Sequence, residues 1–280
     1  MRNAAVPSFA FQPDTAIFTD TILSVQWLRG LAALIVVLFH LELAPWGASG
    51  VDVFFVISGF IMWRTTQHKD MHPATFYRHR IWRIVPIYWI YTLLLVLAFF
   101  AVPSAFSRLQ FDWAHLATSF FFIPWQSPTS GLATPFLVQG WSLNYEMFFY
   151  LIFGATLALA SHLRLATITC LLSGLVVLGC LVEPTSTAGR VYLDPLLLEF
   201  LAGVWVAQFW RRHAAYLSEP LAGLAIVAAF TSLIISTPLA STISGWQRVA
   251  VWGAPSVLLL VGALSLSSPT SRACQHLVGF

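Results

Sequence analysis

From Ile84 to Val102 the chain carries no formally charged residue. A helix rises 1.5 Å per residue, so a run of that length matches the thickness of a bilayer's hydrocarbon core. Comparable apolar runs recur along the chain between short polar turns, and they predict an all-α fold, a polytopic transmembrane helix bundle of about eight spans. The expected spans are Ile22–Leu43, Gly50–Thr66, Ile81–Val102, Phe136–Ala160, Leu165–Val182, Val191–Trp210, Leu221–Leu239 and Val249–Leu266. A water-soluble surface is excluded, because only 9% of the residues are charged, against roughly 25% in an ordinary soluble domain. The net charge of +3 is small and scattered, which argues against a nucleic-acid partner.

Residues 1–21 contain Pro7, Pro13, Asp14 and Asp20 but no apolar core. They read as a cytoplasmic segment, with the first span acting as an uncleaved membrane signal. Residues 22–266 form the expected membrane domain, and 267–280 a cytoplasmic tail or the approach to a further span. Cys170, Cys180 and Cys274 make no disulfide framework. Placing Arg64, Lys69, Arg78 and Arg80 on the cytoplasmic side follows the positive-inside rule. Alternation then puts Arg2, Arg164, Arg211, Arg212 and Arg272 inside and only Arg108, Arg190 and Arg248 outside, with both termini cytoplasmic. In that orientation the Gln67–His79 loop is cytoplasmic and Pro103–Thr134 faces the opposite side. The aromatic segment Phe111–Trp125 is too short to span and is assigned to the interface.

Charges inside hydrocarbon cost about 2.5–3.5 kcal/mol each even on the lenient insertion scale, so each one needs a reason. Arg29 and His40 are eleven residues apart, which returns to nearly the same helix face about 16 Å along the axis. They suit one wall of a cavity, or else a snorkelling arginine and a helix-end histidine. Asp52 follows a short connection from the first span, so it is expected near the outer end of that helix. There it would orient the His40 imidazole as a general base, or simply cap its own helix. Glu146 is the only formal charge in Phe136–Ala160 and is expected to face the same cavity. Glu199 suits a salt bridge to Arg29 as well as it suits chemistry. Arg78, Arg80 and Arg83 gather before the third span, where they serve either as topogenic charge or as a phosphate-binding fork.

Five ordered blocks carry a resemblance: WLRGLAALIVVLFH, GASGVDVFFVISGFIMW, RHRIWRIVPIYW, GWSLNYEMFFY and LLLEFLAG, together covering most of residues 23–205. They resemble the acyltransferase 3 family of bacterial membrane proteins, and within it the ExoZ-type exopolysaccharide acetyltransferases. The resemblance implies an enzyme of the bacterial cytoplasmic (inner) membrane. Such an enzyme moves an acyl group, usually acetyl from a cytoplasmic acyl-CoA, to a hydroxyl of a cell-surface or lipid-linked glycan. It maps the family's functional arginine and histidine onto Arg29 and His40, the VD aspartate onto Asp52, and the WSLxxE-like carboxylate onto Glu146. The basic RxxRIxP-like block falls on Arg80, Arg83 and Pro86. Family members generally have about ten spans and a late SYSxYLxH-like helix. On that pattern this chain is expected to be C-terminally incomplete and to need roughly two further spans for activity.

The expected scheme has His40, Asp52 and Glu146 as catalytic residues and Arg29, Arg80 and Arg83 as the donor site. Acyl-CoA (acetyl-CoA) is the donor substrate, with membrane lipids as the surround. No permanently bound cofactor and no metal site are indicated. Direct transfer and a transient acyl-enzyme both remain open. The rival is a transporter or flippase of a glycan or lipid precursor that uses the same buried charges as a path.

Overall fold

The computed structural model describes residues 22–67, 71–210, 217–240 and 242–266. The expectations for residues 1–21 and 267–280, including both termini, lie outside the described residues. Among those described there are helices and no strands. In chain order they are α1 (Leu23–His40), α2 (Gly50–Thr66), α3 (Pro73–Ala101), α4 (Trp113–Phe120), α5 (Trp141–Thr156) and α6 (Ser161–Val182). There follow α7 (Thr187–Tyr192), α8 (Leu197–Trp210), α9 (Glu219–Ile235), α10 (Gly245–Arg248) and α11 (Ala254–Leu266). Among the described residues six helical stretches are long and apolar enough to cross a bilayer, whereas α9 and α5 are shorter, at 17 and 16 residues.

α2 and α8 form the centre of the bundle. Two glycines let their backbones touch: a Cβ built on Gly59 would lie 1.9 Å from the Phe200 carbonyl oxygen, and one on Gly203 would lie 1.9 Å from that of Val56. Small residues at such a crossing are how helices approach closely when water supplies no driving force between them. Phe55, Phe149 and Phe200 stack over this seam with centroid separations of 4.5 Å. Around the pair, α1, α3, α6 and α9 turn large apolar side chains outward, among them Leu34, Ile87, Leu97, Leu178 and Val227. That is the pattern of a lipid-facing surface.

Several expected boundaries move, each for a local reason. α3 begins at Pro73, eight residues before the expected Ile81. The His72 side chain accepts a hydrogen bond from the Ala74 N–H, and Pro73 at the first turn needs no partner for a missing N–H. The basic cluster is therefore helical and lies on the first turns of α3 rather than in a loop. The span expected at Val191–Trp210 is broken between Tyr192 and Leu197, where Asp194 accepts from the Leu196 N–H and Pro195 interrupts the pattern. A π-helical turn at Val249–Gly253 joins α10 to α11.

Within Phe111–Trp125 a short helix, α4, starts at the Asp112 cap. His115 Nε2 bonds the Thr134 carbonyl at 2.8 Å, and Ser119 Oγ receives the Phe136 N–H at 2.8 Å, pinning the following loop back onto α4.

Candidate active site

Four helices enclose one cavity of about 290 Å³. α5 supplies Ser142, Glu146 and Tyr150, spaced by four residues and hence on one face. α2 supplies Val51, Phe54, Phe55, Ser58, Ile61 and Met62 along the i, i+3, i+4, i+7 stripe of one helix side, with Ile57 at its edge. From Val51 to Met62 the cavity follows α2 for about 16 Å at 1.5 Å per residue. α1 contributes Arg29, and α3 contributes Arg80, Arg83 and Ile84.

The polar groups are unevenly placed. Arg80 lies partly buried near the Phe76 and Tyr150 rings, 5.6 and 5.8 Å from their centroids, and its Nε has no hydrogen-bond partner among the described residues. Arg83 is exposed and Arg29 half-buried. Three guanidinium groups therefore line one cavity with a single carboxylate, Glu146. None of the three is tied up in an ion pair with it, since the Asp52–Arg248 pair is the salt bridge found among the described residues. Glu146 Oε1 accepts hydrogen bonds from Ser58 Oγ, at 3.2 Å, and from the Tyr150 hydroxyl. Guanidinium forks that make no ion pair among the described residues, beside a half-buried carboxylate, suit an anionic ligand held next to a proton acceptor.

Arg29, Arg80, Arg83 and Glu146, expected from the sequence, thus come together. His40 and Asp52 do not. His40 is the last residue of α1, exposed, with its ring 5.3 Å from that of Phe39, and it does not line the cavity. Asp52 is fully buried and bound by both arms of Arg248: Nε to Oδ1 and Nη2 to Oδ2, each 2.9 Å. The expected meeting of His40 and Asp52 is corrected on this point. The nine residues between α1 and α2 bring the helix ends near each other without fixing which way α2 faces, and here Asp52 faces Arg248, directly before the π-helical turn. Arg78, grouped with Arg80 and Arg83 from the sequence, is exposed and outside the cavity.

The Asp52–Arg248 pair is the core of a second polar centre. Arg248 sits between the rings of Trp141 and Trp252, 5.0 Å from each centroid. Glu199 is 1% exposed and lies close to Asp52, and neither of its oxygens has a hydrogen-bond partner among the described residues. The alternative of a Glu199 bridge to Arg29 is therefore not realised. Gly253 makes room for this carboxyl, since a Cβ there would fall 2.7 Å from Glu199 Oε1. Close by, the Tyr145 hydroxyl donates to Asp194 at 3.3 Å. Phe55 lies between the two centres: it lines the cavity, yet packs on Trp141, Tyr145 and Phe200.

Arg248, Ser58 and Tyr150 were not singled out from the sequence. Arg248 had a readable signal, as the lone charge directly before the last apolar run; Tyr150 had another, four residues beyond Glu146.

Residues 22–272 match the family model described as an acyltransferase domain. Over 231 residues the chain is 37% identical to the exopolysaccharide production protein ExoZ of Rhizobium meliloti (strain 1021), covering 79% of this chain and 68% of that protein. BcsY of Komagataeibacter xylinus, described as a membrane-bound transacylase, is 30% identical over 85% of this chain and 64% of its own length. The peptidoglycan O-acetyltransferase OatA of Listeria monocytogenes is 25% identical over 88% of this chain and 43% of its own length. The chain thus spans between about two fifths and two thirds of the length of these relatives. No solved structure matches it.

Proposed function

Because the chain belongs to the acyltransferase family whose domain covers residues 22–272, we propose that it is a membrane O-acyltransferase. In this reading it moves an acyl group, acetyl in the simplest case, from acyl-CoA to a hydroxyl of a cell-surface or lipid-linked polysaccharide. The observation that carries the proposal is the convergence of Arg29, Arg80 and Arg83 with Glu146 on one cavity. The names of the relatives, an exopolysaccharide production protein and a peptidoglycan O-acetyltransferase, support a glycan acceptor.

The residues divide the work. Arg80 and Arg83 sit at the end of the cavity where α3 begins and hold the donor's phosphates; Arg29, across from them on α1, completes the fork. The apolar stripe of α2 excludes water from the thioester. Glu146 takes the proton of the acceptor hydroxyl as its oxygen attacks the thioester carbon. The new C–O bond forms, the C–S bond breaks, and the proton passes from Glu146 to the leaving thiolate. No net proton is consumed. The basic ends of α2 and α3 face the cytoplasm, so the donor enters from that side of the bacterial inner membrane.

A second reading keeps His40 as the base. It is favoured by the exposure of its imidazole, whose ring contact among the described residues is with Phe39, leaving it open to an acceptor arriving along the outer surface. Asp52, bound to Arg248, then acts by fixing the fold rather than by touching the reaction.

The test is transfer of label from radiolabelled acetyl-CoA to deacetylated bacterial polysaccharides by the purified protein, its Glu146→Gln variant and its His40→Ala variant. Removing a general base costs about 10²–10⁴-fold in rate. A loss of that size in E146Q with H40A little changed is the expected result. The opposite pattern assigns the base to His40, and absence of transfer to every acceptor, both by this chain and by a version carrying the two further spans expected from the family pattern, refutes the enzymatic reading.

A further inference from the structure

A carboxylate works as a base in one direction, toward the proton it removes, so what holds its other oxygen matters. An ionised carboxylate oxygen has about two lone-pair sites. Glu146 Oε1 has two hydroxyl donors, Ser58 Oγ from α2 and the Tyr150 hydroxyl from α5. Oε2 accepts no hydrogen bond among the described residues, and Glu146 lines the cavity, so this oxygen is left open to whatever enters.

Ser58 had an easier partner. Hydroxyls inside helices commonly bond the carbonyl four residues back, and many in this protein do. Thr66 bonds Met62, Thr92 bonds Tyr88, Ser119 bonds His115, Ser256 bonds Trp252 and Ser265 bonds Val261, all at 2.6–2.8 Å. Ser58 instead reaches across to another helix, at 3.2 Å. Tyr150 is 4% exposed, and its hydroxyl is likewise directed at the carboxylate rather than at a backbone carbonyl.

We propose that Ser58 and Tyr150 are positioning residues for acyl transfer: they occupy Glu146 Oε1 from two helices and so present Oε2 to the acceptor hydroxyl. This rests on the reading of Glu146 as the base. The acceptor proton goes to Oε2, the acceptor oxygen bonds the acyl carbon as the C–S bond breaks, and the proton then leaves on the thiol. Ser58 and Tyr150 keep their own protons throughout.

The test uses the purified full chain and its Ser58→Ala, Ser58→Thr, Tyr150→Phe and Glu146→Gln variants, with the doubles S58A/E146Q and Y150F/E146Q. Each is first checked for a single symmetric gel-filtration peak. Misplacing a reacting group by about 1 Å can cost about 10²-fold, so S58A and Y150F are each expected to lower kcat about 10- to 100-fold with donor KM unchanged. S58T, which keeps the hydroxyl, restores most of the rate. In the E146Q background neither change lowers the rate further, because both act through the same carboxylate. Equal losses with and without Glu146, or a rise in KM with kcat intact, overturn the proposal. A readout independent of turnover is the infrared carboxylate band identified by its loss in E146Q. Its splitting, widened by unequal hydrogen bonding of the two oxygens, should narrow in S58A and Y150F, and an unmoved band also overturns the proposal. Failure of the underlying reading looks different, as E146Q turning over at the unmodified rate.

Discussion

Replacing Arg248 with methionine should destabilise the protein more than any single change in the cavity. The guanidinium is 14% exposed and makes two 2.9 Å bonds to a carboxylate with no solvent exposure at all. Removing one partner of such a pair strands the other, at a cost of about 3–5 kcal/mol. Here the stranded group is Asp52, with the Glu199 carboxyl beside it, so the upper part of that range is expected. With about 1.4 kcal/mol per factor of ten, the folded-to-unfolded ratio should drop by about 10³- to several 10³-fold. Arg248→Lys keeps the charge without the bidentate fork and should fall between.

The assay is unfolding of the purified protein in mixed micelles by increasing fractions of a denaturing detergent, followed by tryptophan fluorescence. Trp141 and Trp252 flank the pair and report on it directly. Changing both partners to apolar residues, Asp52→Leu with Arg248→Met, should recover much of the loss, because no unpaired ion remains between them. If R248M unfolds with the unmodified protein, or if the double variant is no more stable than R248M, the pair is not what joins α2 to the last span.

Three further outcomes are expected. Gly203→Ala should lose several kcal/mol, at or beyond the upper end of the roughly 1–3 kcal/mol typical of overpacking, because its Cβ would meet the Val56 carbonyl oxygen at 1.9 Å; yields and unfolding midpoints measure it, and an unchanged midpoint contradicts the close α2–α8 crossing. Arg80→Lys should raise donor KM while leaving kcat for bound donor largely intact, since lysine keeps the charge and loses the planar fork; steady-state kinetics against acetyl-CoA separate the two. In a background without native cysteines, Pro128→Cys should react with a membrane-impermeant thiol reagent in intact cells and Ala74→Cys should not, and the reverse pattern overturns the orientation.

The membrane class was legible because too few charges exist to dress a soluble surface, a property of composition that no packing detail can alter. Arg29, Arg80, Arg83 and Glu146 were legible for a related reason: charges in apolar runs are expensive, and a shared cavity satisfies them together. Helix spacing did not place them, for they lie on three helices; the one spacing argument, Arg29 to His40, put on a shared cavity wall a histidine that instead ends α1 exposed. What sequence spacing does not contain is the rotation of one helix against another. Asp52 was expected beside His40, a neighbour in the chain, whereas its partner lies 196 residues away. The start of α3 was missed because an apolar run marks only where charge ends, while the helix is started by His72 and Pro73. Nothing in the residues of Val249–Gly253 signals the π-helical turn that brings Arg248 to Asp52.

The two polar centres share one helix, and that sharing separates what their substitutions should do. Asp52 and Ser58 are six residues apart on α2, about 120° around its axis at 100° per residue. One side of α2 is therefore committed to the ion pair that fastens the last span, and another to the cavity where Glu146 is held. Phe55 stands between, closing the cavity wall and stacking on Phe200 of α8. A loss of activity after changing Asp52 is consequently ambiguous by itself, because a loosened last span disturbs α2 and through it Ser58. Unfolding free energy resolves the ambiguity: Asp52→Asn should lose stability and activity together, whereas Ser58→Ala should lose activity alone. If D52N keeps full stability and still loses turnover, Asp52 acts on the reaction itself, as the resemblance to the family implies, and its bond to Arg248 serves to orient it.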